Sequence, residues 1–137
     1  MKKLALLLLL ISINVSVFAQ DEKPTKYFFI RHAEKERGDK TNKNPELNSI
    51  GLNRAIFWKD ALADVKFDMV FSTNYNRTIQ TAQPTADKNN LEIQFYDPRD
   101  MYNEEFQKIT KGKNVLVVGH SNTTATFANK VIGEEIY

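Results

Sequence analysis

Cysteine is absent from the 137 residues, which excludes a disulfide framework and a lipid-modified cysteine at a processed N-terminus. Stability must come from an apolar core, and the aromatic and aliphatic runs are sufficient for one. Histidine is nearly absent. His32 and His120 are the only two, and without a convincing carboxylate cluster they make a poor metal site. An excess of charge of either sign is lacking too. The chain has 19 basic and 17 acidic residues, and Lys2 and Lys3 account for the difference. Nothing in that balance argues for nucleic acid or a charged membrane surface as partner. Internal repeats and low-complexity segments are missing as well.

What is present starts with a leader. Lys2 and Lys3 precede an apolar stretch over residues 4–11 that continues more weakly to Ala19, and Val17-Phe18-Ala19 resembles a small-residue cleavage site. This is the pattern of a secretory signal peptide, with cutting after Ala19. A spanning helix is the competing reading, but Ser12, Asn14 and Ser16 interrupt the run, and a span wants about 20 mostly apolar residues. The expected organisation is a signal peptide over residues 1–19, a polar linker over 20–26 and one domain over 27–137. The mature protein is expected to be exported, to the periplasm or medium of a bacterium, with no stable membrane insertion after cleavage.

Beyond the linker, short apolar runs alternate with helix-like segments. Tyr27-Phe28-Phe29-Ile30 and Val115-Leu116-Val117-Val118 are continuous runs of the kind found in strands buried on both faces. Residues 68–72 read as a third strand, and residues 91–96 as one with a wetter face, Leu91, Ile93 and Phe95 pointing inward. Residues 37–45 are polar and read as a surface loop. Asn48 is a helix N-cap, after which Ile50, Arg54, Phe57, Trp58, Ala61 and Leu62 follow helical spacing. Further helices are expected over 76–88, where Pro84 threatens a kink or an early end, over 98–109 and over 123–132. The alternation predicts a three-layer α/β domain with a mainly parallel central sheet. Right-handed crossovers put the strand C-terminal ends on one edge, where ligands bind in such sheets. His32, Ser72, Asp97 and His120 all fall at or just after a predicted strand end.

Two imidazoles leaving two buried strands, one preceded by Arg31, can share one anion site. A transferring phosphoryl group spreads charge over three oxygens, so its catalysis is mainly positioning and electrostatic stabilisation. Arginine presents a planar fork of donors that fits such oxygens. An imidazole, with an unperturbed pKa of about 6.5, is available as a neutral nucleophile near neutral pH. Arg77 falls in the first turn of a helix, where the dipole disfavours a cation, so a bound anion would explain it.

Four blocks, in order, carry a resemblance to the histidine phosphatase superfamily, the clan that includes phosphoglycerate mutase. Arg31-His32-Ala33-Glu34 resembles its Arg-His-Gly-Glu signature, with alanine for glycine. Pro45, Leu47, Asn48, Gly51 and Ala55 resemble the start of its first helix. Ser72, Arg77, Thr78, Thr81 and Ala82 match its Ser-x4-Arg-Thr-x-x-Thr-Ala block, and Gly119-His120-Ser121-Asn122 its late Gly-His motif. The resemblance implies a phosphoglycerate mutase-like fold and a phosphatase that needs no metal and no cofactor. It implies that His32 attacks phosphorus and becomes a phosphohistidine, which water then hydrolyses. Arg31 and Arg77 would clamp the phosphoryl group and His120 would hydrogen-bond it. Ser72 and Asn122 are further phosphate-binding candidates, with capping as their ordinary alternative.

The general acid is the open point. Asp97 is the best-placed carboxylate, with Asp100, Glu104 and Glu105 as alternatives and a helix cap before Pro98 as its ordinary reading. A site without an acid would suit phosphohistidine or an acyl phosphate, so the expected partner is a small phosphorylated substrate or a phosphoprotein. A non-catalytic phosphate- or phosphopeptide-binding module is the competing class. A mutase is a lesser alternative, because the chain lacks room for insertions over a substrate. Relatives continue past the last helix into a further strand, whereas this sequence stops at Ile136-Tyr137. The expectation is either a trimmed domain or a fragment, with a sheet edge left unpaired.

Overall fold

The computed structural model describes residues 22–137, and the expected signal peptide lies outside the described residues. Strands and helices alternate as β1 (Lys26–Arg31), α1 (Ser49–Ala61), β2 (Met69–Ser72), α2 (Asn76–Lys88), β3 (Ile93–Phe95), α3 (Glu104–Thr110), β4 (Asn114–Gly119) and α4 (Thr124–Ile132). The sheet has the order β1-β4-β2-β3 and every pairing in it is parallel. This is the α/β architecture expected from the alternation.

Strand parity builds the layers, because successive side chains point to opposite faces. Phe28, Ile30, Val70, Leu116 and Val118 meet Ala82 and Ala86 of α2 and Trp58 of α1 on one face. Tyr27, Phe29, Met69, Phe71, Val115 and Val117 meet Phe106 of α3 and Phe127 of α4 on the other. Val115, Leu116, Val117 and Val118 are fully buried, as a strand flanked by two others and covered on both faces requires. Adjacent β1 and β4 therefore hand their chains to helices on opposite faces. The two connections part company above the sheet and open a crevice there.

Several local expectations are corrected. α1 does not bury Ile50 and Phe57, which are 60% and 58% exposed; it buries Gly51 and Ala55. The helix lies so close to the segment after β1 that a Cβ at Gly51 would sit 2.1 Å from the Glu34 carbonyl oxygen. Small residues permit that approach, and the bulky ones are left outside. α2 runs through Pro84 to Lys88 at its full expected length. β3 is short and lies at the sheet edge, with Phe95 exposed and Tyr96 packed on the Phe127 side of the core. No helix starts at Pro98: residues 97–100 form a turn, and Asn103 caps α3 by accepting from the Phe106 N–H at 2.8 Å.

Candidate active site

The sheet fixes the two histidines. The last paired residues of β1 and β4 are Arg31 and Gly119, and the ladder extends one bond further, the His32 N–H donating to the Gly119 carbonyl at 2.9 Å. The two imidazoles come within 5.5 Å of each other, centroid to centroid, at 67°. A Cβ at Gly119 would lie 2.7 Å from the Tyr96 hydroxyl, so a larger residue there would have to push that ring aside.

The segment after His32 is pinned to α2. The Ala33 N–H donates to Thr81 Oγ1 at 2.9 Å, and the Leu47 N–H to Gln80 Oε1 at 2.7 Å. Thr81 in turn donates to the Arg77 carbonyl at 2.7 Å. The Thr-Ala pair that the sequence presented as a motif thus has one task for each residue: Thr81 holds the His32 segment, and Ala82 packs against the sheet.

Hydrogen-bond partners settle both imidazole tautomers. His32 Nδ1 lies 2.7 Å from the Ala33 carbonyl, which can only accept, so Nδ1 carries the proton and Nε2 keeps its lone pair. His120 Nδ1 lies 3.4 Å from Arg77 Nη2, which can only donate, so there the lone pair is on Nδ1. His120 Nε2–H then donates to Thr73 Oγ1 at 2.9 Å. Thr73 passes its own proton to Thr78 Oγ1 at 3.0 Å, and Thr78 donates to the Thr73 and Tyr75 carbonyls, both at 2.9 Å. Thr73 and Thr78 are fully buried.

Burial and neighbouring cations work against a charge on both imidazoles. Burial lowers the pKa of His32, helped by the charges of Arg77, Arg31 and Lys35. Burial and Arg77 take His120 down to about 4. Arg77 leans on the Tyr75 ring, 4.6 Å from its centroid, and its Nε and Nη1 are buried without a hydrogen-bond partner. A guanidinium edge left in that condition calls for an anion. The cleft of about 520 Å³ over these groups is lined by Arg31, His32, Arg77, His120, Ser121 and Asn122, with Lys35 and Arg37 at its rim. Among the described residues no cluster of His, Asp or Glu is arranged to hold a metal ion.

Two expected site residues stand elsewhere. Ser72 is fully buried, still within the β2 ladder opposite Val118, and its hydroxyl donates to the Thr73 carbonyl at 2.8 Å. The first residue past that ladder is Thr73, and Thr73 is the one that reaches His120. Asp97 does not line the cleft, although Pro98 does. Arg99 binds its carboxylate through Nε at 2.9 Å and Nη2 at 2.6 Å and takes its pKa down to about 2, so the group is ionised and has no proton to give. Nor does it cap a helix; it accepts from the Arg99 N–H in a turn. No motif in the sequence singled out Thr73, Tyr75 or Tyr96; strand pairing in the structure sets Thr73 against His120 and Tyr96 against Gly119.

The same fold is found in solved structures. It is similar to a candidate phosphohistidine phosphatase, SixA, from Agrobacterium tumefaciens, with a TM-score of 0.63 and 27% identity over 82% of this chain and 79% of that one. A phosphoserine phosphatase from Entamoeba histolytica, solved with 3-phosphoglyceric acid, gives 0.60 at 16% identity, covering 80% of each chain. A candidate α-ribazole-5′-P phosphatase from Escherichia coli gives 0.60 at 18%, covering 81% of each. No curated protein matches the chain. The description "histidine phosphatase superfamily (branch 1)" belongs to a family model that matches residues 27–98, a span holding both His32 and Arg77, and the chain is a member of that superfamily.

Proposed function

We propose that this chain is an exported phosphatase that transfers a phosphoryl group from its substrate to His32 and then to water. The observation that carries this reading is the His32 tautomer, with Nδ1–H tied to the Ala33 carbonyl and the Nε2 lone pair free, beside a guanidinium with two unpartnered nitrogens. His32 Nε2 attacks phosphorus in line with the departing oxygen, while Arg31 and Arg77 bind the equatorial oxygens. A phosphoryl dianion between the imidazoles raises the pKa of His120. Protonated Nδ1 then donates to a phosphoryl oxygen, while Nε2–H stays on Thr73. Water displaces His32 from phosphorus and releases inorganic phosphate. Asn122, at the lip of the cleft, is placed to bind the same group. This reading admits phosphorylated substrates whose leaving group departs without a proton from the protein, among them activated phosphomonoesters, phosphohistidine and acyl phosphates. Export rests on the lysine pair, apolar stretch and Ala19 site at the N-terminus.

The test is hydrolysis of an activated aryl phosphate by the full chain with a chelator present, for wild type and His32→Ala. Turnover in the wild type that disappears in a folded His32→Ala protein is the expected result. Equal turnover in both would overturn the reading. One observation favours a second reading: no carboxylate lines the cleft, which suits a phosphate-binding module. Such a module would bind phosphate or vanadate and turn over neither ester nor anhydride. Export is tested separately by N-terminal sequencing of the extracytoplasmic protein, expected to begin at Gln20.

A further inference from the structure

The cleft above the histidines is lined by four cations, Arg31, Lys35, Arg37 and Arg77, and by no carboxylate. None of the four has an ion-pair partner among the described residues. Glu34 and Asp97 are each held by an arginine from outside the set, Arg54 and Arg99, and Glu36, which stands between Lys35 and Arg37 in the chain, is exposed and does not line the cleft. The site therefore has a surplus of positive charge and lacks a proton donor for a leaving oxygen.

Charge counting separates the possible leaving groups. A phosphate monoester carries about two negative charges near neutral pH, which Arg31 and Arg77 balance. Lys35 and Arg37 then face whatever leaves. Phosphohistidine releases a neutral imidazole, which gives those two cations nothing to bind. An ester of an alcohol releases an alkoxide that needs a proton. A second phosphate answers both conditions, since it brings further charge and, with its second pKa near about 6, departs without a proton on the bridging oxygen.

Resting on the phosphatase reading above, we infer that the substrate class of this site is the phosphoanhydride: a diphosphate whose terminal phosphoryl lies on Arg31 and Arg77 and whose leaving phosphate lies on Lys35 and Arg37. His32 Nε2 forms the bond to the terminal phosphorus as the bond from phosphorus to the bridging oxygen breaks. The bridging electrons stay on that oxygen, now part of the leaving phosphate. Water then attacks the phosphohistidine, the P–N bond breaks, one water proton goes to solvent, and the second phosphate is released.

The probes are inorganic pyrophosphate and an activated aryl phosphate, with chelator, on the full-length wild type, His32→Ala and the double variant Lys35→Met/Arg37→Met. The quantity read is the ratio of kcat/KM for pyrophosphate to that for the aryl phosphate, in which any effect on His32 itself cancels. Wild-type preference for pyrophosphate, abolished in His32→Ala, with the ratio reduced about tenfold or more in the double variant, is the expected result; one charge-assisted hydrogen bond lost is sufficient for that. Turnover of the aryl phosphate through His32 without preference for pyrophosphate, or with a ratio unmoved in the double variant, overturns this inference and leaves the phosphatase reading standing. No turnover of either probe overturns both.

Discussion

Thr73 Oγ1 lies 2.9 Å from His120 Nε2 and decides which of that imidazole's nitrogens faces the cleft. The threonine is fully buried, and its own proton is committed to Thr78. Thr73→Val removes the acceptor and frees the ring to turn over. The expected result is a fall in kcat of roughly tenfold, the worth of one hydrogen bond of about 1.4 kcal/mol, with little change in KM. Thr73→Ser keeps the acceptor and restores the rate. An unchanged kcat in a folded Thr73→Val protein would show that the tautomer does not matter.

Asp97 is the carboxylate that chain position recommends as an acid and that geometry removes from that role. Held by Arg99 with a pKa of about 2, it is ionised throughout the working range. Asp97→Asn is expected to change kcat by less than about threefold on an activated aryl phosphate and on an alkyl phosphate alike. General acid catalysis is worth about 10²–10⁴-fold, so a loss of that size on the alkyl ester would return Asp97 to the mechanism.

The pH profile follows from His32, which must be neutral to attack. Its pKa lies below the ordinary 6.5 through burial and nearby cations. The acid limb of kcat/KM is therefore expected below pH 6.5. Lys35→Met removes one of those cations and moves the limb upward. For stability the sign is the following. His120 binds its proton at about 4 when folded and near 6.5 when unfolded, so the unfolded chain takes up more protons between those values. The stability tied to neutral His120 is complete above about pH 6.5 and is lost as pH falls through about 4. Denaturant midpoints measured across that window should decline less in His120→Asn than in wild type.

Gly51→Ala sets a methyl group 2.1 Å from the Glu34 carbonyl oxygen, which is backbone and has no room to yield. Overpacking of this kind costs about 1–3 kcal/mol, and here it also pushes on the segment that carries His32. A lowered melting temperature together with a lowered kcat is expected. Gly38→Ala, whose Cβ would meet nothing within 4 Å, is the control and should match the wild type in both.

The sheet was legible because β1 and β4 are unbroken apolar runs with an arginine or a glycine at the end, although β1 proves to be an edge strand whose aromatic side chains are only partly buried. The periphery was less so. Residues 91–96 alternate, but the strand they form is three residues long and lies at an edge. There, packing of Tyr96 over Gly119 outweighed the pattern and turned Phe95 outward. At the site, motif and strand end indicated Ser72 and Asp97, each one residue from the side chain that reaches inward. The first residues past the β1 and β4 ladders, His32 and His120, line the crevice; Thr73, the first past β2, is buried against His120, and Tyr96, the first past β3, lies against Gly119. Register depends on pairing between distant strands, and a single sequence does not display it.

His32 and His120 follow partners in neighbouring strands, so the distance between them is inherited from the spacing of a β-ladder, roughly 4.8 Å from strand to strand. The polar loop over residues 37–45 and the turn over 97–100 have no part in setting that distance. Insertions, deletions and charge changes in those loops can accumulate over generations while the imidazole pair stays in place. Lineages of this fold are free to exchange one phosphorylated substrate for another by remodelling the rim, without rebuilding the chemistry beneath it.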